Sequence, residues 1–308
     1  MLPIFKDVPP VLAPALRGLE LLQDRWRAIA DRRLTEAFQR ARRVLFDDAS
    51  RFILFSDCHR GDRGPTDAFA PNASLFQHAL TDYYDAGFTY IEVGDGDELW
   101  KNPRFESVRS AHRETFDLLD RFDRRGRLHL VLGNHDIQGK QRYRMKKGNL
   151  VAHEGLILQH RETDQEIFVV HGHQGDPKSD RFYVVARLLV RHIWRRLQLL
   201  GIGRGPGKPV ENRDRVTIRQ RITEWVEANC QMVICGHTHM PAFPLSNEAL
   251  YFNTGSCIYS NAMTGLEIVG GEIGLVKWLS EPGADGVRPA RFIRQLMTPR
   301  RKLNLLGV

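Results

Sequence analysis

Eight side chains in this sequence could together do hydrolytic metal chemistry: Asp57, His59, Asp95, Asn134, His135, His171, His237 and His239. Carboxylate, amide and imidazole donors without thiolate suit Mn, Fe, Zn or Co better than a Cys-based structural zinc site. An Asp shared between two such ions holds them about 3.5–4 Å apart. A hydroxide shared by the pair is a nucleophile at neutral pH, and the same pair neutralises charge on a phosphoryl group during in-line displacement.

The elements that must position these residues are legible as five apolar, strand-like runs. Residues 51–56 precede Asp57 and His59, and residues 90–94 precede Asp95. Residues 128–133 precede Asn134 and His135, residues 166–170 precede His171, and residues 231–236 precede His237 and His239. In open α/β folds ligands gather beyond the carboxyl ends of strands, so five converging strands would bring scattered side chains to one point.

Between the first four runs the chain alternates strand and helix patterns, with crossover helices expected over 72–86 and 108–125. A hairpin is expected from 156–160 and 166–170. Apolar residues from Leu19 to Leu45 recur at helical steps and predict one or two amphipathic helices over 15–45. Residues 178–227 read as an inserted helical hairpin, its first helix carrying Arg187, Arg191 and Arg195 in one stripe and its second running over 212–228. Short glycine-punctuated runs after His239 predict an antiparallel meander closing a second sheet. The expected division is a helical segment over 1–49, a main domain over 50–280 with the insertion inside it, and a basic C-terminal tail over 281–308.

Length and composition set outer bounds. With 308 residues, 42% of them hydrophobic and 27% charged, the chain reads as a soluble globular protein of one large domain or two small ones. No uncharged apolar run is long enough to span a bilayer, and the first residues lack a signal-peptide profile. Cys58, Cys230, Cys235 and Cys257 have no CxxC or framework spacing, which suits a reducing cytoplasm. A net charge of +8 favours anionic partners, whether phosphorylated metabolites, anionic lipid or nucleic acid.

The ordered set Asp57-Cys-His59, Gly94-Asp95, Gly133-Asn134-His135-Asp136, His171-Gly-His173 and Gly236-His237-Thr-His239 resembles the calcineurin-like metallophosphoesterases. The resemblance covers about residues 52–240. It implies an α/β fold, a four-layer α-β-β-α sandwich of mixed sheets, here with an inserted helical hairpin cap. It implies a dimetal-dependent phosphoesterase in which a metal-bridging hydroxide attacks phosphorus in line. By position, Asp57, His59 and His239 would hold one ion, Asp95 would bridge, and Asn134, His171 and His237 would hold the other. The two divalent ions are expected to be Mn, with Fe, Zn or Co as alternatives. His135 would stabilise the phosphoryl oxygens or protonate the leaving group, oriented by Glu98. Asp136 is expected to cap or to support ligands.

Two further residues are candidates for substrate binding. Arg60 could clamp phosphate through its guanidinium or make a surface salt bridge. His173 could take the metal-ligand place assigned to His171, touch substrate, or be a solvated loop residue.

The substrate is less sharply drawn. The helical insertion is similar to the lid of the UDP-2,3-diacylglucosamine pyrophosphatases of lipid A synthesis, which would bring the chain to an anionic membrane surface at the inner membrane; the alternative is that its apolar face packs on the sandwich and its arginines are solvated. That branch carries Arg where this chain has His135. A nuclease would use the basic surface as a track, but no aromatic-basic interleaving or nucleic-acid module is present. A non-enzymatic scaffold is the remaining alternative, and the intact ligand set argues against it. The expected partner is therefore an anionic phosphorylated substrate, with the oligomeric state left open.

Overall fold

The computed structural model describes residues 13–136, 144–147, 150–177, 212–282 and 289–305. The first helix of the expected insertion, with Arg187, Arg191 and Arg195, lies outside them. The described chain forms two mixed sheets packed face to face, with helices on both outer faces.

The large sheet is built on β2 (Arg51–Phe55), β3 (Thr89–Val93), β4 (Leu128–Val131) and β6 (Leu150–His153), all parallel, with β5 (Arg144–Lys147) antiparallel at one edge. On the other side β2 pairs with β11 (Ala262–Val269), then β12 (Glu272–Pro282) and β13 (Pro289–Leu296), all antiparallel. The small sheet runs in the order β1 (Arg42–Phe46), β7 (Gly155–His160), β8 (Glu166–Val170), β9 (Met232–Cys235), β10 (Tyr251–Asn253).

Period-two alternation decides which face each strand buries. Leu54, Ile91, Val93 and Val131 meet Leu156, Leu158, Ile167, Val169, Met232 and Ile234 between the sheets. Their neighbours Ile53, Phe55, Tyr90 and Leu130 turn outward beneath α2 (Ala73–Asp85) and α4 (Arg113–Arg124). Helix α2 offers Leu75, Phe76, Ala79, Leu80 and Tyr83, a helical stripe on one face. On the far side, Ile157, Phe168, Val170, Val233 and Cys235 pack under α1 (Ala13–Arg40) and α5 (Arg213–Asn229). Three apolar layers thus separate helix, sheet, sheet and helix, the four-layer order expected.

Several local expectations differ from what is observed. The helix expected to reach residue 45 ends at Arg40, and residues 42–46 form an edge strand parallel to β7. Arg42, Arg43 and Leu45 are exposed there, so the strand shows no alternation that would separate it from a helix. The expected helix over 108–125 is divided at His112, which closes α3 (Phe105–Ala111). Its backbone lies outside the helical region, at φ −116° and ψ 40°, and its buried Nε2–H donates to Asp67 at 2.8 Å.

The meander after His239 is real, but β11 to β13 extend the large sheet beside β2 rather than closing the small one. Of the runs after His239, β10 does not join these strands and pairs in parallel with β9 in the small sheet. Residues 289–296, within the segment read from sequence as a basic C-terminal tail, pair with β12 as the edge strand β13, and Arg294 on it reaches the buried carboxylate of Glu267.

The second helix of the insertion is α5, with Asn212 as its N-cap accepting the Arg215 N–H at 2.9 Å. It packs on the small sheet as a layer helix, through Ile218, Ile222, Trp225 and Val226.

Candidate active site

Strands β2, β3 and β4 run parallel in one sheet, and β8 and β9 run parallel in the other, so the five carboxyl ends share one rim. The turns beyond β2 and β3 continue the ladder. The N–H groups of Asp57, His59 and Arg60 donate to the carbonyls of Gly94, Asp95 and Gly96 at 2.8–3.0 Å. To aim side chains into the rim the backbone must bend abruptly. Asp57, His59, Asp95, His237 and His239 all have left-handed φ, between 48° and 65°. Each such residue costs roughly 1–3 kcal/mol, and such conformations cluster where function over-determines them.

Glycines leave room for these bends. A Cβ on Gly133 would lie 2.1 Å from Asp95 Oδ1, and one on Gly94 would lie 2.5 Å from the His171 ring. Gly94 also needs its φ of 78°.

Three groups of ligand-type atoms result, each within 4.8 Å: Asp57–His59–His239, His59–Asp95–His135 and Asp95–His171–His237. Asp57 Oδ1 is 3.0 Å from His239 Nε2, and Asp95 Oδ2 is 3.2 Å from His171 Nε2 and 3.6 Å from His59 Nε2. Asp95 and His59 each belong to two groups, so the groups form one continuous cluster.

The cluster fits a divalent metal. Asn134 Oδ1 is buried with no hydrogen-bond partner, which typically costs about 1–3 kcal/mol, and Asp57 Oδ1 and His171 Nε2 are buried facing other ligand-type atoms of the cluster. All three can offer lone pairs. His171 Nδ1 lies 2.9 Å from the Val93 carbonyl and must donate to it, which leaves Nε2 free to ligate. The second oxygens of both Asp residues are held by backbone N–H groups. Asp57 Oδ2 accepts from His237 at 3.0 Å, and Asp95 Oδ1 accepts from His135 at 2.8 Å.

Electrostatics follow the same division. Burial alone would raise the pKa of Asp57 and of Asp95, but His239 and His171 beside Asp57, and His171 and His135 beside Asp95, outweigh it and hold both carboxyls low. Burial opposes a charge on His171, yet Asp95 and Asp57 overcome this and raise it to about 9. A proton and a metal therefore compete for His171. Metal uptake at pH 7 is expected to release one or more protons, and affinity should fall as pH falls. Titration calorimetry with Mn²⁺ in buffers of different ionisation enthalpy reads this directly; a buffer-independent enthalpy would contradict it.

His135 stands apart from the other histidines. Its Nδ1 lies 2.8 Å from Glu98 Oε1. Glu98 is buried, which favours its neutral form, but His135 beside it holds the carboxyl well below the ordinary range. An ionised carboxylate only accepts, so Nδ1 carries the proton and Nε2 is the atom left for a reacting partner. Glu98 Oε2 also lies 3.5 Å from His59 Nδ1 and 3.7 Å from Lys101 Nζ.

Arg60 does not reach the rim, contrary to both sequence expectations of a phosphate clamp or a surface salt bridge. It is fully buried, forked onto Glu92 at 2.6 and 2.8 Å, with Nε on Asp97 at 2.9 Å. It follows His59 in the turn and pairs with Asp97 across it, which directs the guanidinium beneath the site. His173 is buried at 3% exposure with its ring 5.6 Å from that of His171. Burial first, then the neighbouring histidines, keep it neutral. Asp136 supports the turns, accepting the N–H groups of Asp97 at 3.0 Å and Gly133 at 2.9 Å.

Sequence reasoning passed over two residues. Asp176, five positions beyond His171, places Oδ2 3.5 Å from His237 Nε2. Trp100 lies flat on His135, with ring centroids 4.0 Å apart and planes at 19°. A carboxylate and an aromatic ring following ligand-bearing strands by a few residues were the available signals.

Fold and rim together define a metal-dependent hydrolase built on a two-sheet sandwich. Residues 51–268 match the calcineurin-like phosphoesterase superfamily domain, and the chain belongs to that family. It is accordingly a metal-dependent phosphoester hydrolase. Among solved structures, the chain is similar to a cold-active protein-tyrosine phosphatase of a psychrophilic Shewanella species, at 14% identity and TM-score 0.40 over 84% of each chain. It is also similar to Chaetomium thermophilum Vps29, at 11% identity and TM-score 0.36 over 81% of this chain and 97% of that one. A 5'-nucleotidase from Candida albicans is similar at 12% identity and TM-score 0.27, over 83% of this chain and 52% of that one. No curated protein sequence matches the chain. Among the described residues no helix is long and apolar enough to cross a membrane.

Proposed function

We propose that the chain hydrolyses a phosphate ester at a two-ion centre, with His135 as the proton donor to the leaving group. The observation that carries this is the His135–Glu98 pair at 2.8 Å beside a cluster of buried ligand-type atoms. Asp57, His59 and His239 would hold one ion, Asn134, His171 and His237 the other, and Asp95 would serve both. Bound divalent ions, which we take to be Mn²⁺, supply Lewis acidity that polarises a phosphoryl oxygen and makes water more acidic.

The protein's own part is positional. Glu98 engages Nδ1, so Nε2 is the ring atom left to give its proton to the departing oxygen. Before the transfer the imidazolium's positive charge lies next to the ionised Glu98 carboxylate, and after it the ring is neutral with Nδ1–H still donating to Glu98. The substrate is an anionic phosphorylated molecule, which the net charge of +8 supports, and cysteines without framework spacing support a location in the reducing cytoplasm.

His135→Ala is the test. It should keep both ions, measured by elemental analysis, and lose about 10²- to 10⁴-fold in turnover of p-nitrophenyl phosphate. An emptied centre would make His135 a metal ligand, as its place in one of the three atom groups permits. Parallel assays on bis-p-nitrophenyl phosphate decide between ester classes, since a diester preference would redirect the search to pyrophosphates and lipids.

A further inference from the structure

A proton donor works only if its ring is held in one plane, and Glu98 fixes a single point on the His135 ring. Rotation about the Nδ1–Glu98 contact would swing Nε2 away from the leaving oxygen. The second constraint is Trp100. Its indole stacks on the imidazole at 4.0 Å and 19°, while the His59 ring meets His135 edge-on at 4.7 Å and 87°.

Trp100 is itself anchored. It is 4% exposed, and its Nε1–H donates to the Asn134 carbonyl at 2.7 Å. The turn that carries it is closed by the Asn102 N–H and side-chain amide, both donating to the Glu98 carbonyl at 3.1 Å. From the same turn, the Leu99 N–H donates to the His135 carbonyl at 3.2 Å. Residues 98–102 therefore grip residues 134–135 at the imidazole edge, the imidazole face and two backbone carbonyls.

We infer that Trp100 is a positioning residue for proton donation to the leaving group, acting by holding the His135 ring plane through face-to-face stacking. This rests on the reading of His135 as the proton donor. A donor out of plane matters most when the leaving oxygen is basic, so the effect must grow with leaving-group pKa. A merely structural role would depress every substrate alike.

The experiment compares phenyl phosphate with 2,4-dinitrophenyl phosphate in Mn²⁺-loaded full-length protein, for Trp100→Leu, Trp100→Met, Trp100→Phe and His135→Ala. Metal content and thermal midpoint are recorded for each. The non-aromatic variants should lose about 10²-fold in kcat on phenyl phosphate and only about threefold on the dinitrophenyl ester, with KM little changed. Trp100→Phe, which keeps a stacking face, should recover most of the loss.

Equal losses on both esters, or no rescue by Phe, would overturn the inference. So would loss of metal or folding in both non-aromatic variants with Trp100→Phe intact, since Trp100 would then support the ligand Asn134 instead. If His135→Ala shows no leaving-group dependence, the proton-donor reading itself fails. If His135→Ala shows it and the Trp100 variants do not, only the inference fails.

Discussion

Asp95→Asn is expected to lose bound metal and turnover together, with kcat/KM down on the order of 10³-fold, equivalent to about 4 kcal/mol of lost charge stabilisation. The substitution is nearly isosteric, so the His135 N–H could keep its acceptor at Oδ1, 2.8 Å away. What disappears is the anionic oxygen that faces His171 at 3.2 Å and His59 at 3.6 Å. An amide nitrogen in its place would point hydrogens at any cation. Asp95 contributes to two of the three ligand-type groups, so its loss should unsettle both halves of the centre. Elemental analysis with a kcat/KM measurement checks this. Full occupancy in the variant would remove Asp95 from the ligand set.

Arg60→Met should instead act on stability. The guanidinium is buried with Glu92 and Asp97, which are 1% and 0% exposed, and it lies 5.2 Å from the Phe116 ring centroid. Removing the cation strands two buried carboxylates, and breaking a buried pair in this way costs about 3–5 kcal/mol. For a chain of this size that is a fall in Tm of about 10 °C. Adding Glu92→Gln and Asp97→Asn should recover much of the loss, because no buried charge is then left over. Calorimetry of the single and triple variants makes the comparison. A phosphate-clamping Arg60 would give the opposite result, with KM raised and Tm unmoved.

The contrast between Asp57 and Arg60 shows what the sequence could and could not specify. Ligand-type residues that directly follow a buried strand have their direction set by the pleat and the turn, so their gathering at one rim was legible. Arg60 lies three residues further, beyond two left-handed backbone positions, and nothing local says whether it points up or down. Its partners Glu92 and Asp97 are 32 and 37 residues away.

The same reasoning covers the elements. Strands buried on both faces, such as β3 with its near-continuous burial, were plain. The edge strand β1 was not, because it exposes Arg42, Arg43 and Leu45 and owes its state to pairing with β7, more than a hundred residues on. The meander's strands were legible but its attachment to β2 was not, since register with a distant strand leaves no local mark. Trp100 was hidden for a different reason: an aromatic side chain reads as core until its neighbour is known to be a histidine.

The ligand-type residues are contributed by both sheets. Asp57, His59, Asp95 and Asn134 follow strands of the large one, and His171, His237 and His239 follow strands of the small one. An ion held between Asp95 and His171 is thus also a rivet through the sandwich. It would add to the hydrogen bonds that already join the two layers there, from His171 to the Val93 carbonyl and from the His237 N–H to Asp57. Anything that binds the folded state alone stabilises it in proportion to the logarithm of its concentration. The cell's supply of divalent metal would then set how firmly this end of the molecule is clasped, as well as how fast it works.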